Sequence, residues 1–208
     1  MNSPTARSPR RPHAQRRADA QERLLEAAMT CVADRGVEGF TLADVGKAAD
    51  LSRGLVNYHF GTKPGLVDRL VDWLFEAEGI GDLAPQDAKG LEPLLRAVAG
   101  YFDNLVEEPT ACRALCVLQG YALSNDHFAA KLADLNVRAV ASIEAHLRAG
   151  LDRGEVDGSV HAKNHAMVIL TGVRAAVMGH LLQPQAMTVE ELRMAFVGAL
   201  RRSLQANP

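Results

Sequence analysis

The amino-acid sequence predicts an all-α fold, and three observations carry that reading. Apolar residues recur at helical spacing (i, i+3, i+4) in run after run. Glycines and prolines fall mostly between those runs. No stretch alternates apolar and polar residues with the period of a strand. With 208 residues, 48% of them hydrophobic, the chain is long enough to bury a sizeable core. The periodic runs add up to about nine helices, divided into a small three-helix N-terminal unit and a larger C-terminal helical bundle.

Residues 1–17 are rich in Pro, Ser and Arg, with five arginines and no acid, and read as a flexible arm. Asp19-Ala-Gln-Glu22 has the spacing of a capping box and predicts the first helix start there. Leu24, Ala28 and Val32 then form one stripe, which ends near Arg35 with Gly36 as the C-cap. Cys31 lies beside the stripe as a packed thiol. Thr41, with Asp44 three residues on, caps a short second helix that turns at Asp50 and Leu51. Ser52 caps a third helix whose Val56 and Phe60 face inward.

Two short helices joined by a tight turn, the second presenting Arg53, Asn57, Tyr58 and His59, make the pattern of a helix-turn-helix reader of DNA. Arg reaches guanine edges, Asn pairs with adenine, and Leu55 at the margin can meet a thymine methyl. Gly54 costs helix stability, and close approach of backbone to DNA is a reason to keep it. Thr62 caps a fourth helix with Lys63 in its first turn, and positive charge at that helix start suits a phosphate.

The segment Thr41…Val45…Ala49-Asp50-Leu51-Ser52-Arg53-Gly54…Tyr58-His59-Phe60…Thr62-Lys63…Leu66 resembles the signature of the TetR family of bacterial transcription regulators. Ser52 to Leu66 is most similar to the subgroup typified by the betaine-operon repressor. The resemblance is dense over residues 20–70 and elsewhere extends only to helix count and length. It implies a DNA-binding domain at 18–66, and a ligand-binding and dimerisation domain at 67–208. It also implies phosphate contacts at Thr41 and Lys63, and base or backbone contacts at Ser52, Arg53, Gly54, Tyr58 and His59. Asn57 stands where many members carry Tyr, Asp50 where Gly is usual, and Gly46 where Ala is usual.

The fourth helix continues through Leu66, Val67, Leu70, Val71 and Leu74, and 79–90 reads as a loop. Further helices follow at 91–109, 110–124, 128–154, 161–182 and from Thr188, whose box closes with Glu191. Polar or aromatic residues in the apolar stretches are the candidates to line an effector pocket: Tyr101, Phe102, Gln119, Tyr121, Asn125, His127 and Asn136. Small and apolar residues of the last two helices, including Gly172, Ala176, Gly179, Phe196 and Ala199, predict a helix-pair face that packs on a second copy.

Net charge is −2, but residues 1–66 hold ten Lys or Arg against seven Asp or Glu. Three cysteines make no disulfide framework, no signal peptide is seen, and no uninterrupted apolar run of 18 residues occurs, so the expected compartment is the cytoplasm. His161 and His165 have a metal-ligand spacing without an acid or an assignable third ligand. Cys112 and Cys116 share a face. No phosphate loop, dinucleotide fingerprint or nucleophile–base arrangement is present. The expectation is a homodimeric, ligand-responsive repressor on near-palindromic operator DNA, with no catalytic residues, cofactor, metal or membrane partner. An activator or constitutive regulator of the same fold, or an enzyme using the helical cavity, is the alternative.

Overall fold

A computed structural model describes residues 13–76 and 89–205; the arm before residue 13 and most of the expected 79–90 loop lie outside them. Among the described residues there are nine helices and no strand beyond one isolated bridge between Val156 and Gln205. They are α1 (His13–Arg35), α2 (Leu42–Ala48), α3 (Arg53–Phe60), α4 (Lys63–Glu76), α5 (Leu91–Glu107), α6 (Pro109–Ala122), α7 (Asp126–Asp152), α8 (Ala162–Leu182) and α9 (Val189–Leu204).

Most starts follow the predicted caps. Thr41 Oγ1 accepts from the Asp44 N–H while the Asp44 carboxylate accepts from the Thr41 N–H, a complete capping box. Ser52 caps α3 and Thr188 with Glu191 boxes α9, while Asn125, expected as a pocket residue, is the cap of α7. The first helix departs from expectation. It begins at His13, so residues 13–17 of the expected arm are helical and Asp19 caps nothing. Asp19 instead accepts from Gln15 Nε2 one turn earlier, at 2.9 Å. His161, one of the two histidines at metal-ligand spacing, is the N-cap of α8: its Nδ1 accepts from the Asn164 N–H.

Two apolar clusters form the core. The first gathers α1 to α4 with Ala111, Leu115 and Leu118 of α6 and Phe128, Leu132 and Leu135 of α7. The second gathers α5, α8, α9 and the later turns of α7. The expected boundary at 66/67 therefore crosses the middle of α4, whose Leu66, Val67, Leu70, Val71 and Leu74 are all buried in the first cluster. Helix α8 is long and apolar enough to cross a membrane by length and composition. That qualifies the expectation drawn from the lack of an uninterrupted run. In the fold α8 lays one side on the core through Ile169, Leu170, Val173 and Val177 and leaves Met167, Val168, Met178 and Leu182 exposed.

Candidate DNA-reading face and effector cavity

The turn between α2 and α3 sets the reading helix. Asp50 has φ 53°, the left-handed conformation that a short polar side chain tolerates better than most. The Leu51 N–H then reaches back to the Gly46 carbonyl at 2.8 Å. A side chain at Gly46 would meet that region at once: a Cβ there lies 3.0 Å from the Leu51 carbonyl oxygen and 3.1 Å from a Val56 methyl. The absence of a side chain at Gly46 thus lets the two helices cross closely.

Val56 is fully buried, so α3 is anchored along one side. Arg53, Gly54, Asn57 and Tyr58 are exposed on the other, with Ser52 exposed at the start. Leu55 and His59 are half-buried. A Cβ at Gly54 would have only Ser52 Oγ near it, at 3.8 Å, so that surface is open for a close approach. Tyr58 is packed edge-on to His59, and the Arg17 guanidinium lies 5.5 Å from the Tyr58 ring centre. Burial, and secondly Arg17, hold His59 below the usual histidine range, so this ring favours its neutral form.

The residues expected to meet phosphates lie outside α3. Thr41 is exposed at the start of α2. Thr62 Oγ1 accepts from the Gly65 N–H at 3.2 Å, which caps α4 at an exposed residue. Lys63 is more engaged than expected. Its ammonium lies 4.9 Å from the Phe40 ring centre and 3.7 Å from a Glu38 carboxylate oxygen.

The expected pocket residues divide among four places. Tyr101 and Gln119 line a narrow cavity with Cys112, Leu115, Cys116, Arg174 and Val177. Asn136 accepts a hydrogen bond from Arg174. Tyr121, Asn125 and His127 border an open groove between the reading head and the body, together with Lys63, Val67 and Phe128. Phe102 is fully buried against Phe196, with ring centres 5.2 Å apart, and reaches neither space. In the groove, the side chains are already committed. Asn125 Nδ2 donates to the Tyr121 hydroxyl, and His127 pairs with Asp68 at 3.0 Å.

Arg174 is the residue that sequence reasoning missed. The available signal was an arginine in the middle of a helix that is otherwise almost wholly apolar. Around it, burial pushes the Tyr101 hydroxyl and the Cys112 thiol each up to about 12 and raises Cys116 as well. The cavity thus holds neutral side chains around one permanent cation. Thiols held neutral in this way are also poor redox sensors.

The expected dimer residues also divide. Gly172 faces the Phe196 ring, since a Cβ there would lie 3.3 Å from it, and Ala176 packs on the second cluster. These three serve the chain's own core, because the ring of Phe196 reaches Phe102 and needs Gly172 to admit it. Gly179 and Ala199 are exposed.

Sequence comparison places the reading head. A family described as bacterial regulatory proteins, tetR family, matches residues 24–70. The HTH-type transcriptional regulator CymR of Pseudomonas putida is 40% identical over 67 residues, which are 32% of this chain and 33% of that protein. The match therefore spans only a third of CymR's length. TtgR, also an HTH-type transcriptional regulator of Pseudomonas putida, is 26% identical over 179 residues, 80% of this chain and 83% of that one. A crystal structure of a TetR-family transcriptional regulator from Rhodococcus sp. superposes with a TM-score of 0.79 at 21% identity, covering 89% of this chain and 98% of the other. Residues 24–70 match the tetR family of bacterial regulatory proteins, and the described helices share the fold of a solved TetR-family structure.

Proposed function

We propose that the chain is a ligand-responsive transcriptional repressor that binds a near-palindromic operator as a homodimer and acts in the cytoplasm. The observation that carries the reading is the two-sided character of α3: Val56 locks one side into the core, and the other presents Arg53, Gly54, Asn57 and Tyr58 to solvent. Each protomer then lays residues 52–59 in a major groove, with half-sites a whole number of turns apart, about 34 Å per turn. Thr41, Lys63 and the start of α4 hold the flanking phosphates. Asn57, in place of a more usual tyrosine, adds a contact suited to adenine. The likeness to the betaine-operon repressor subgroup rests on Ser52 to Leu66 and does not extend to the effector.

Release follows from a shift between dimer states. An effector in the body favours a spacing of the two heads that no longer fits the operator, and it must prefer that state by about a few kcal/mol to empty the site. The enzyme reading has less support. Burial keeps the two thiols and the tyrosine of the body's cavity protonated, so none of them is poised as a nucleophile or base.

The test is selection of bound DNA from a fragment pool with the purified chain, with salt dependence recorded. An enriched palindrome with a steep negative salt slope is the expected result. Arg53→Ala is expected to cost about 1–3 kcal/mol of operator affinity and to relax preference at one base position. Unchanged affinity and base preference in that variant would remove α3 from its reading role. A footprint upstream of a promoter, with expression rising on binding, would make the chain an activator.

A further inference from the structure

Helix α8 turns one charged side chain, Arg174, toward α5, α6 and α7. Its Nη1 donates to Oδ1 of Asn136 on α7 at 2.5 Å. Its Nε and Nη2 are buried and have no hydrogen-bond partner. None of the ion pairs among the described residues includes it. Two buried guanidinium donors with unmade hydrogen bonds are costly to a fold, far more so than paired ones.

The identity of the two unpartnered donors is informative. Nε–H and Nη2–H project in parallel from one edge of the guanidinium, at the spacing of the two oxygens of a carboxylate. Asn136 holds the opposite corner and so fixes the plane. Arg174 also lines the cavity formed with Tyr101, Cys112, Leu115, Cys116, Gln119 and Val177. The walls offer apolar surface, neutral thiols, and the polar ends of Tyr101 and Gln119.

We propose that the Nε–Nη2 edge of Arg174 is the recognition group for the effector, and that the effector is a small monocarboxylate with an apolar body. The proposal rests on the ligand-responsive reading above and names its ligand class. A carboxylate satisfies both donors at once and neutralises the charge. A phosphate brings more charge and more acceptors than this largely apolar cavity can serve. The cavity is narrow, with space for little more than a water-sized group between the side chains. Admission of a ligand therefore moves a wall. One wall is Leu115 of α6, which belongs to the same apolar cluster as Leu24, Leu25 and Ala28 of α1. Displacing α6 pushes on the helix that carries the reading head.

The test uses the full chain. Acetate, propanoate and benzoate are each titrated against their neutral amides, and against inorganic phosphate, at constant ionic strength. Binding is read by calorimetry and by thermal midpoint, and operator occupancy is measured alongside. The expected result is saturable binding of at least one carboxylate, at least tenfold tighter than its amide, with operator occupancy falling. Arg174→Met, which replaces the cation by an apolar chain of similar length, is expected to fold, to bind operator and to lose the carboxylate preference. Arg174→Lys keeps the charge without the two-donor edge and is expected to weaken binding at least tenfold. The proposal is overturned if no carboxylate binds the native chain, if Arg174→Met binds carboxylate and amide in the native ratio, or if phosphate is preferred. Carboxylate binding that depends on Arg174 but leaves operator occupancy unchanged would keep the recognition group and overturn the ligand-responsive reading instead.

Discussion

Lys63 has two uses for one charge. At the start of α4 it is the proposed partner of a DNA phosphate, yet Glu38 and the ring of Phe40 already engage it. Its side chain is 26% exposed and that of Glu38 80%. An ion pair this open contributes at most about 1 kcal/mol. Operator binding therefore has to separate the pair, and Glu38 acts as a mild competitor of the phosphate. Glu38→Gln is expected to tighten binding to all DNA sequences alike by up to about fivefold, an effect that gel-shift titrations on operator and random duplex would measure. Tightening confined to the operator would instead give Glu38 a part in base reading. A phosphate role for Lys63 was suggested by its place after a capping threonine. Its partner was not, because Glu38 lies 25 residues earlier and meets it only when α4 folds back on the α1–α2 turn. Arg174 illustrates the same limit more sharply: the sequence shows an arginine in an apolar helix, and only the packed helices show which of its donors lack a partner.

Between elements, the first turns of α7 grip α4. Lys131 donates to the Asp68 carbonyl at 2.8 Å and pairs with Asp72 at 2.9 Å, and His127 pairs with Asp68. The lysine side chain is 22% exposed, so its bonds are worth more than those of a surface pair. Lys131→Met is expected to lower stability by about 1 kcal/mol, roughly 2–4 °C in Tm for a chain of this size. It should also speed amide exchange in α4 while α8 stays protected; equal acceleration in both helices would mean that the bonds serve global stability and not this seam. Helix ends were the most legible part of the fold, because caps are local: Thr41, Ser52, Thr62 and Thr188 each start a helix as their spacing predicts. The start of α1 was the exception. Nothing in His13 to Ala18 breaks a helix, so its good helix formers extend α1 past the Asp19 box, and Arg17 gains Tyr58 as a resting surface.

At the scale of the whole molecule, the outer side of α8 and α9 gathers most of the exposed large apolar side chains among the described residues. Val168 is 67% exposed, Leu182 75% and Met194 66%, with Met167 and Met178 close to half. Thr171, Ala175 and Gly179 lie among them and are small enough to let a partner helix approach. We assign the proposed dimer contact to this side, in place of Gly172, Ala176 and Phe196. A stripe of small residues was visible in the sequence, but periodicity alone does not say which side of an apolar helix the chain keeps for itself. Met178→Glu is expected to give a monomer in sedimentation and to lose operator binding by more than tenfold, since each monomer reads only half a palindrome. A dimer that survives this change would move the contact elsewhere. The sharing of α6 between the two apolar clusters also bears on modularity. Helix α1 rests on Ala111, Leu115 and Leu118 while Cys112, one residue from Ala111, belongs to the other cluster. A graft of this head onto a relative's sensing body has no clean seam after α4. It inherits a mismatched bearing surface unless the α1-facing residues of α6 travel with the head, so new pairings of operator and signal must be engineered, or evolved, as matched sets of residues from distant parts of the chain.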